Sequence, residues 1–277
     1  MFRHIKYALL LLLNFSFFSQ TLYWKGNTGK FSDPYNWVDQ NGVPAAFSPN
    51  ENTHVVFKRS FHEYTVDIDK PIRLKSWTSE PNAKYNVIGP GMHNLTLSGD
   101  FILSPYVKWN ALCDILIQSD QHEKEITINT GINTIQSKIK IYHSLIYIEQ
   151  LYTNKNLELE NSRINLKNSS VFVRSLRTDA LSEFELDNSI IQTEKEILFY
   201  SSKIISENSL IISDIANKQK SVIPDIFNST LFKFTNPDVI MCAVTVSSVL
   251  PTCPNTCDGK ISFTLSGACS SGPYTIT

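Results

Sequence analysis

The dipeptide Asn-Ser recurs at Asn168-Ser169, Asn188-Ser189, Asn208-Ser209 and Asn228-Ser229, in three successive steps of 20 residues. Apolar residues precede the first two Asn at minus four and minus two: Ile164 and Leu166, then Phe184 and Leu186. The third copy has Ile204 and Ser206, and the fourth Pro224 and Ile226. Val171, Ile191, Ile211 and Leu231 follow at plus three. A fixed period near 20 marks stacked repeats. Ordinary strands run about 5–6 residues, so such a unit is a solenoid coil with bends in it, not one strand. Leucine-rich repeats share the length and the Asn but set their apolar residues at the opposite parity. The fold expected is therefore all-β, a right-handed parallel β-helix of about 20-residue coils. Each Asn has the parity of its apolar predecessors, so it points inward or sits at a bend, where Asn tolerates a left-handed backbone. Stacked amides at Asn168, Asn188, Asn208 and Asn228 would then form a structural Asn ladder.

Short alternating runs extend the pattern towards the N-terminus: Tyr64–Ile68, Leu95–Leu97, Ile115–Ile117, Ile126–Ile128, Ile139–Ile141 and Leu157–Leu159. Alternation rich in β-branched residues predicts strands. Gly99, Ser119 and His143 each have apolar residues at minus four and minus two, which carries the series back in steps of 20, 24 and 25 before it settles at 20. Asn161-Ser162 makes the register of that first half ambiguous. The β-helix is assigned to 64–240. Before it, 20–63 is rich in turns and aromatics, with Trp24, Phe31 and Trp37 set among Gly, Asn, Ser, Asp and Pro. It is expected to cap the stack, since the terminal units of a solenoid need special closure. A sugar-stacking platform is the alternative.

Both ends differ from the middle. Arg3, His4 and Lys6 precede an apolar run from Tyr7 through Phe18, which predicts a signal peptide over 1–19 with cleavage after Ser19. The run is shorter than the roughly 20 residues that span a bilayer. No other segment is apolar enough to span one, and a secreted or surface-attached chain is expected. Of five cysteines only Cys113 precedes residue 240, and it is expected to be a buried free thiol. Cys242, Cys253, Cys257 and Cys269 crowd the last stretch; disulfides with three possible pairings suit export, and a zinc site formed by all of them is the alternative. Residues 244–277 hold two charged residues, Asp258 and Lys260, and Asp258-Gly259 between alternating runs signals a hairpin. This stretch reads as an incomplete small β-sandwich module.

Three stretches carry a resemblance. Tyr23-Trp24 through Asn36-Trp37, with Phe31 in place of a second Trp, is similar to the opening of many secreted Bacteroidetes surface proteins. Leu95 through Pro105 resembles the strand passage that often follows that opening. Cys257-Asp258-Gly259, Ser266-Gly267 and Gly272-Pro273-Tyr274 resemble the SprB-type repeat of flavobacterial gliding adhesins, stopping before the Trp that usually follows. The resemblance implies a large cell-surface protein, exported by the type IX route and acting in adhesion or gliding motility. Its partners would be extracellular glycans or solid surfaces, and the secretion machinery. The sorting domain of such proteins would lie beyond Thr277.

The chain carries no familiar catalytic signature. Metalloprotease, phosphate-loop and hydrolase-elbow motifs are absent. His122-Glu123 has no second His four residues on, and the histidines, His54, His62, His93 and His143 among them, are scattered. Asp67 and Asp69 share a strand face, which suits solvation better than acid–base pairing. At minus one from the Asn residues lie Lys167, Asp187, Glu207 and Phe227. With coils about 4.8 Å apart, Asp187 and Glu207 would be neighbours, either a calcium site or a solvated ladder partly neutralised by Lys167. The solvated ladder is preferred, because calcium wants about 6–8 oxygens. The net charge of −1 excludes a strongly basic nucleic-acid binder. No cofactor and no enzymatic activity are expected. The leading expectation is a non-catalytic adhesin; the alternatives are a β-helix polysaccharide lyase or hydrolase, and a carbohydrate-binding module using Trp77 and Trp109.

Overall fold

The computed structural model describes residues 19–119, 124–199, 203–207, 209–215, 231–234, 242–249 and 260–267. The chain is all-β and winds into a parallel β-solenoid of about seven turns. Alternating side chains explain the winding. In Thr53–Phe57 the residues Thr53, Val55 and Phe57 are buried while His54 and Val56 face outward, and the same pattern repeats from coil to coil. An apolar face of this kind must be covered, and here the chain covers it by closing round on itself.

Two halves of the solenoid are built differently. In the N-terminal half the chain cycles through three sheets. The first sheet runs through Gln20–Trp24, Thr53–Phe57, Ser76–Ser79, Phe101–Ile102 and Glu125–Asn129. The second runs through Gly29–Lys30, Tyr64–Asp67, Tyr85–Ile88 and Lys108–Trp109. The third runs through Ile72–Leu74, Asn94–Leu97, Asp114–Gln118, Ile139–Tyr142 and Asn156–Glu160. On the first sheet Val55 pairs with Trp77, Trp77 with Phe101 and Phe101 with Ile128, so these coils take 22, 24 and 27 residues. The second sheet then shrinks to a single bridge, Ile135 with Thr153.

Beyond it the coils tighten. Leu145–Tyr152 bends, its start pairing with Arg163–Lys167 and its end with Ser170–Thr178. From there Ile164 pairs with Phe184 and Phe184 with Ile204, a constant 20 residues. The long strands Ser170–Thr178 and Ile190–Phe199 each serve two faces, with a register shift between them. The core changes with the perimeter. Trp24, Phe31, Trp37, Phe57, Tyr64, Trp77, Tyr85, Phe101 and Trp109 fill the N-terminal half. Past Cys113 the apolar core is isoleucine, leucine and valine, with Phe184 its one aromatic among the described residues.

The N-terminal boundary differs from the one expected at residue 63. Gln20–Trp24 already pairs in parallel with Thr53–Phe57, so the solenoid begins at residue 20. The turn-rich segment between these strands is pinned by antiparallel pairing of Trp24 with Trp37 and by the Val38–Pro44 bridge. Trp37 meets Trp24 at 4.9 Å and Phe31 at 4.8 Å, both edge-on, and Phe57 at 5.8 Å. The indole N–H of Trp37 donates to the Phe31 carbonyl at 2.9 Å, and that of Trp24 to the Asn27 carbonyl at 2.8 Å. Buried Trp finds an acceptor in each case, as burial demands. At the other end Cys242–Val249 pairs antiparallel with Lys260–Gly267. The connecting Asp258-Gly259 and the rest of the expected sandwich module lie outside the described residues.

Candidate functional site

The stacked Asn-Ser positions form a corner of the solenoid. Asn168 and Asn188 have φ of 52° and 48°, the left-handed bend that Asn tolerates. They sit one above the other where Arg163–Lys167 and Glu183–Asp187 end. Their side chains are exposed rather than inward. The Asn188 amide donates to its neighbour Asp187 at 2.9 Å, and among the described residues no hydrogen bond joins the Asn168 and Asn188 side chains. The ladder is made by serine. The Ser169 backbone N–H donates to Ser189 Oγ at 3.1 Å, and the Ser189 N–H to Ser209 Oγ at 3.1 Å. Ser169 Oγ in turn donates to the Lys167 carbonyl, and Ser189 Oγ to the Asp187 carbonyl. These serines are buried. A hydroxyl both donates and accepts, and so satisfies two backbone groups that a corner would leave unpaired. Asn208 and Asn228 lie outside the described residues.

A second corner repeats the device. Ser119, Ser144, Ser162 and Ser182 are stacked, each backbone N–H donating to the next Oγ at 2.8, 3.4 and 3.3 Å. Before two of them stand His143 and Asn161, with φ of 46° and 45°. Asn161 Nδ2 lies 2.9 Å from His143 Nδ1. Gly99, Ser119 and His143 therefore belong to this corner, after the third sheet, and their series continues to Asn161 rather than Asn168.

The suspected calcium column is aligned as expected by register: Lys167 with Asp187, and Asp187 with Glu207. Asp187 is half-buried and its carboxylate is engaged by the Asn188 amide. Among the described residues no group of three or more His, Cys, Asp or Glu is placed to hold a metal. Phe227 lies outside them, as do Cys253, Cys257 and Cys269; Cys242 opens its strand. Cys113 is a free, buried thiol, pushed up to about 11 by burial. Asp69 acts as a clasp, accepting from the Ser32 amide at 3.0 Å and the Ser32 hydroxyl at 2.5 Å. Burial alone would raise its carboxyl, but these bonds and nearby Lys30 hold it below the usual range. Trp77 and Trp109 are fully buried, so neither can serve as a sugar platform.

Among the described residues, two outward grooves bear on function. One lies on the third sheet, a groove of about 370 Å³ lined by Tyr142, Glu158, Glu160, Arg177 and Asp179 among others. Two of its acids, Glu158 and Asp179, are committed to structure. Glu158 pairs with Lys138 at 2.6 Å. Asp179 accepts from the Asn161 N–H at 3.0 Å, the Leu181 N–H at 3.3 Å and the Ser182 hydroxyl at 2.6 Å, binding three points of two coils. The Tyr142 phenol is pushed up by burial and then by Glu160 and Glu158, away from the phenolate a proton abstraction would need.

The other surface lies where the first sheet turns into the second. A groove of about 620 Å³ opens there between Tyr23, Lys25, Lys58, Arg59, Phe61 and His62, with Trp24, Gly26, Val38 and Ser60 completing it. Lys58 Nζ stands 4.0 Å over the Tyr23 ring, and the Arg59 guanidinium 5.5 Å from the Phe61 ring. Phe61 is 86% exposed. Sequence reasoning passed over these corner residues. The available signal was an aromatic among charges and polar residues between two strands, off the buried alternation.

Among the described residues no helix is long and apolar enough to cross a membrane. No protein-family model, no curated protein and no solved structure matches this chain.

Proposed function

We propose that this chain is the non-catalytic, ligand-displaying body of a secreted cell-surface adhesin of the gliding-motility type, with a partial SprB-type repeat at its C-terminal end. The observation that carries the reading is the structural use made of two of the groove carboxylates. Glu158 is held in an ion pair, and Asp179 ties the corner of one coil to the next. An acid that a turn depends on is poorly suited to exchange protons with a substrate. A stacked body in which each coil touches mainly its neighbours suits extended display of a binding surface. The signal-like N-terminus and the Cys257-Asp258-Gly259 and Gly272-Pro273-Tyr274 motifs support the extracellular setting.

A polysaccharide lyase or hydrolase is the second reading, favoured by Tyr142, Arg177 and Glu160 meeting in one groove on an outer sheet face. One experiment separates the two. The purified chain is incubated with acidic and neutral polysaccharides, while binding, new reducing ends and unsaturated products are followed together. Binding without product formation is the expected result, and measurable cleavage would falsify the adhesin reading.

A further inference from the structure

The corner between the first and second sheets is built from successive loops, residues 25–28, 58–63, 80–84, 103–107 and 130–134, each leading from one sheet to the other. Hydrogen bonds stack them into one edge. The Arg59 N–H donates to Glu80 Oε2 at 2.8 Å, Ser104 Oγ to the Pro81 carbonyl at 3.0 Å, and Asn133 Nδ2 to the Ser104 carbonyl at 2.8 Å. Along this edge run exposed aromatic rings, each with a cation beside it. Arg59 attends Phe61, and Lys84 Nζ lies 5.4 Å from the Tyr106 ring, which is 54% exposed. Phe61 and Tyr106 stand two coils apart, about 10 Å along the stack.

Cations outnumber acids on this edge, where among the described residues no cation pairs with Glu80. Glu63 is taken up by Lys108, both oxygens 2.9 Å from Nζ, and Glu80 accepts the Arg59 amide. Lys25, Lys58, Arg59 and Lys84 have no carboxylate partner among the described residues.

We infer that this edge is a binding strip for a single strand of acidic polysaccharide, a uronate- or sulfate-bearing glycan, lying along the solenoid axis. The inference deepens the adhesin reading and rests on it. Sugar faces pack on the outer sides of the Phe61 and Tyr106 rings, as apolar patches pack on aromatic faces. The acidic groups meet Lys58, Arg59 and Lys84, of which Arg59 and Lys84 also hold these rings in place. The two-coil spacing of the rings is the length scale of a disaccharide, so every second sugar meets an aromatic. A polymer whose own charges repeat at intervals of that order matches a row of single cations. A duplex nucleic acid needs many phosphate contacts over a broad basic face, which a chain of net charge −1 with one narrow basic edge does not offer.

The test titrates the full chain with oligouronates of defined length by calorimetry. Neutral glucan oligosaccharides, single-stranded DNA and vesicles of phosphatidylserine and phosphatidylcholine are run beside them. Oligouronate binding is expected to weaken as salt is raised and to strengthen up to the length that spans Phe61 and Tyr106. Phe61→Ala and Arg59→Ala should each weaken it roughly fivefold, the scale of one aromatic or cation–π contact. Both side chains are exposed, and an unchanged melting temperature confirms that the variants are folded. Failure of the wild-type chain to bind oligouronate, equal binding by the variants, or tighter binding of DNA or vesicles would each overturn the strip. Cleavage of the oligouronate would instead overturn the non-catalytic reading and leave the strip standing if the variants still bind less.

Discussion

The wide N-terminal coils and the narrow C-terminal ones solve the same problem by opposite means. In the first, large rings set the perimeter. Trp77 stacks on Phe57 at 4.6 Å and on Phe31 at 5.5 Å, and meets Trp109 edge-on at 5.2 Å. Its indole N–H donates to the Tyr85 hydroxyl at 3.1 Å, which also meets Ser79 Oγ at 2.6 Å. A core of such rings needs three sheets around it, and the corners between them are loops of variable length. In the narrow coils aliphatic side chains fill a smaller section, and single left-handed residues followed by serine make the corners. Loops absorb insertions, whereas a one-residue corner inside a hydrogen-bonded ladder does not. A strict period therefore exists only where the corners are tight.

Core truncations test that contrast with the largest effect. Trp77→Ala should cost about 3–5 kcal/mol, because it removes a ring touching several others and its bond to Tyr85. Ile148→Val in the narrow region should cost about 0.5–1.5 kcal/mol. Urea unfolding measures both, and native-state hydrogen exchange should localise each loss to the flanking coils, since a stack transmits strain mainly to neighbours. Equal costs, or protection lost evenly along the chain, would break the contrast.

The corners come next. Ser189→Ala should cost about 1–3 kcal/mol, for it strands the Ser169 N–H in a buried place. Asn188→Ala should cost about 1–2 kcal/mol, because alanine resists a φ of 48°. Asn188→Gly should recover most of that loss, since glycine accepts the conformation. If the Asn side chain and not its backbone carried the corner, glycine would be as harmful as alanine, and the same unfolding curves would reveal it.

The smallest effect is a pH dependence confined to the wide region. His54 Nδ1 lies 2.7 Å from Ser76 Oγ, and burial, then Lys124 and Lys75, hold the imidazole below its ordinary value of 6.5 despite an opposing pull from Asp100. The unfolded chain therefore takes up this proton first as pH falls. Stability from neutral His54 is complete above about pH 6.5 and fades as pH drops through the lower folded value. Melting temperatures between about pH 7.5 and about 5 should decline slightly, and His54→Gln should flatten that slope. An unaltered slope in the variant would assign the decline to other groups.

Most of the solenoid was legible in the sequence because the repeating unit is local: an alternating run, a left-handed residue and a polar residue. The strand positions followed from alternation, and the bends at Asn168 and Asn188 were one of the two placements that parity left open. The ladder's chemistry did not, although serine stood after every Asn. Parity describes side chains along straight strands, and a bend rotates the next residue inward. The register of Gly99, Ser119 and His143 was ambiguous for a related reason. Two corners carry the same signature, and only the pairing of strands separates them. The corner edge with Phe61 and Tyr106 was invisible for the opposite reason. It is assembled across coils of unequal length, so no fixed spacing relates its members.

The serine ladder has a direction. At both corners the earlier coil's N–H donates to the later coil's hydroxyl. Removing coils from the front leaves a hydroxyl that water can serve, whereas removing them from the back strands a buried amide. Each completed turn thus awaits its successor to close its own bonding. A chain that emerges N-terminus first meets this requirement in the order of its synthesis, so the stack can grow as a zipper seeded by its aromatic end.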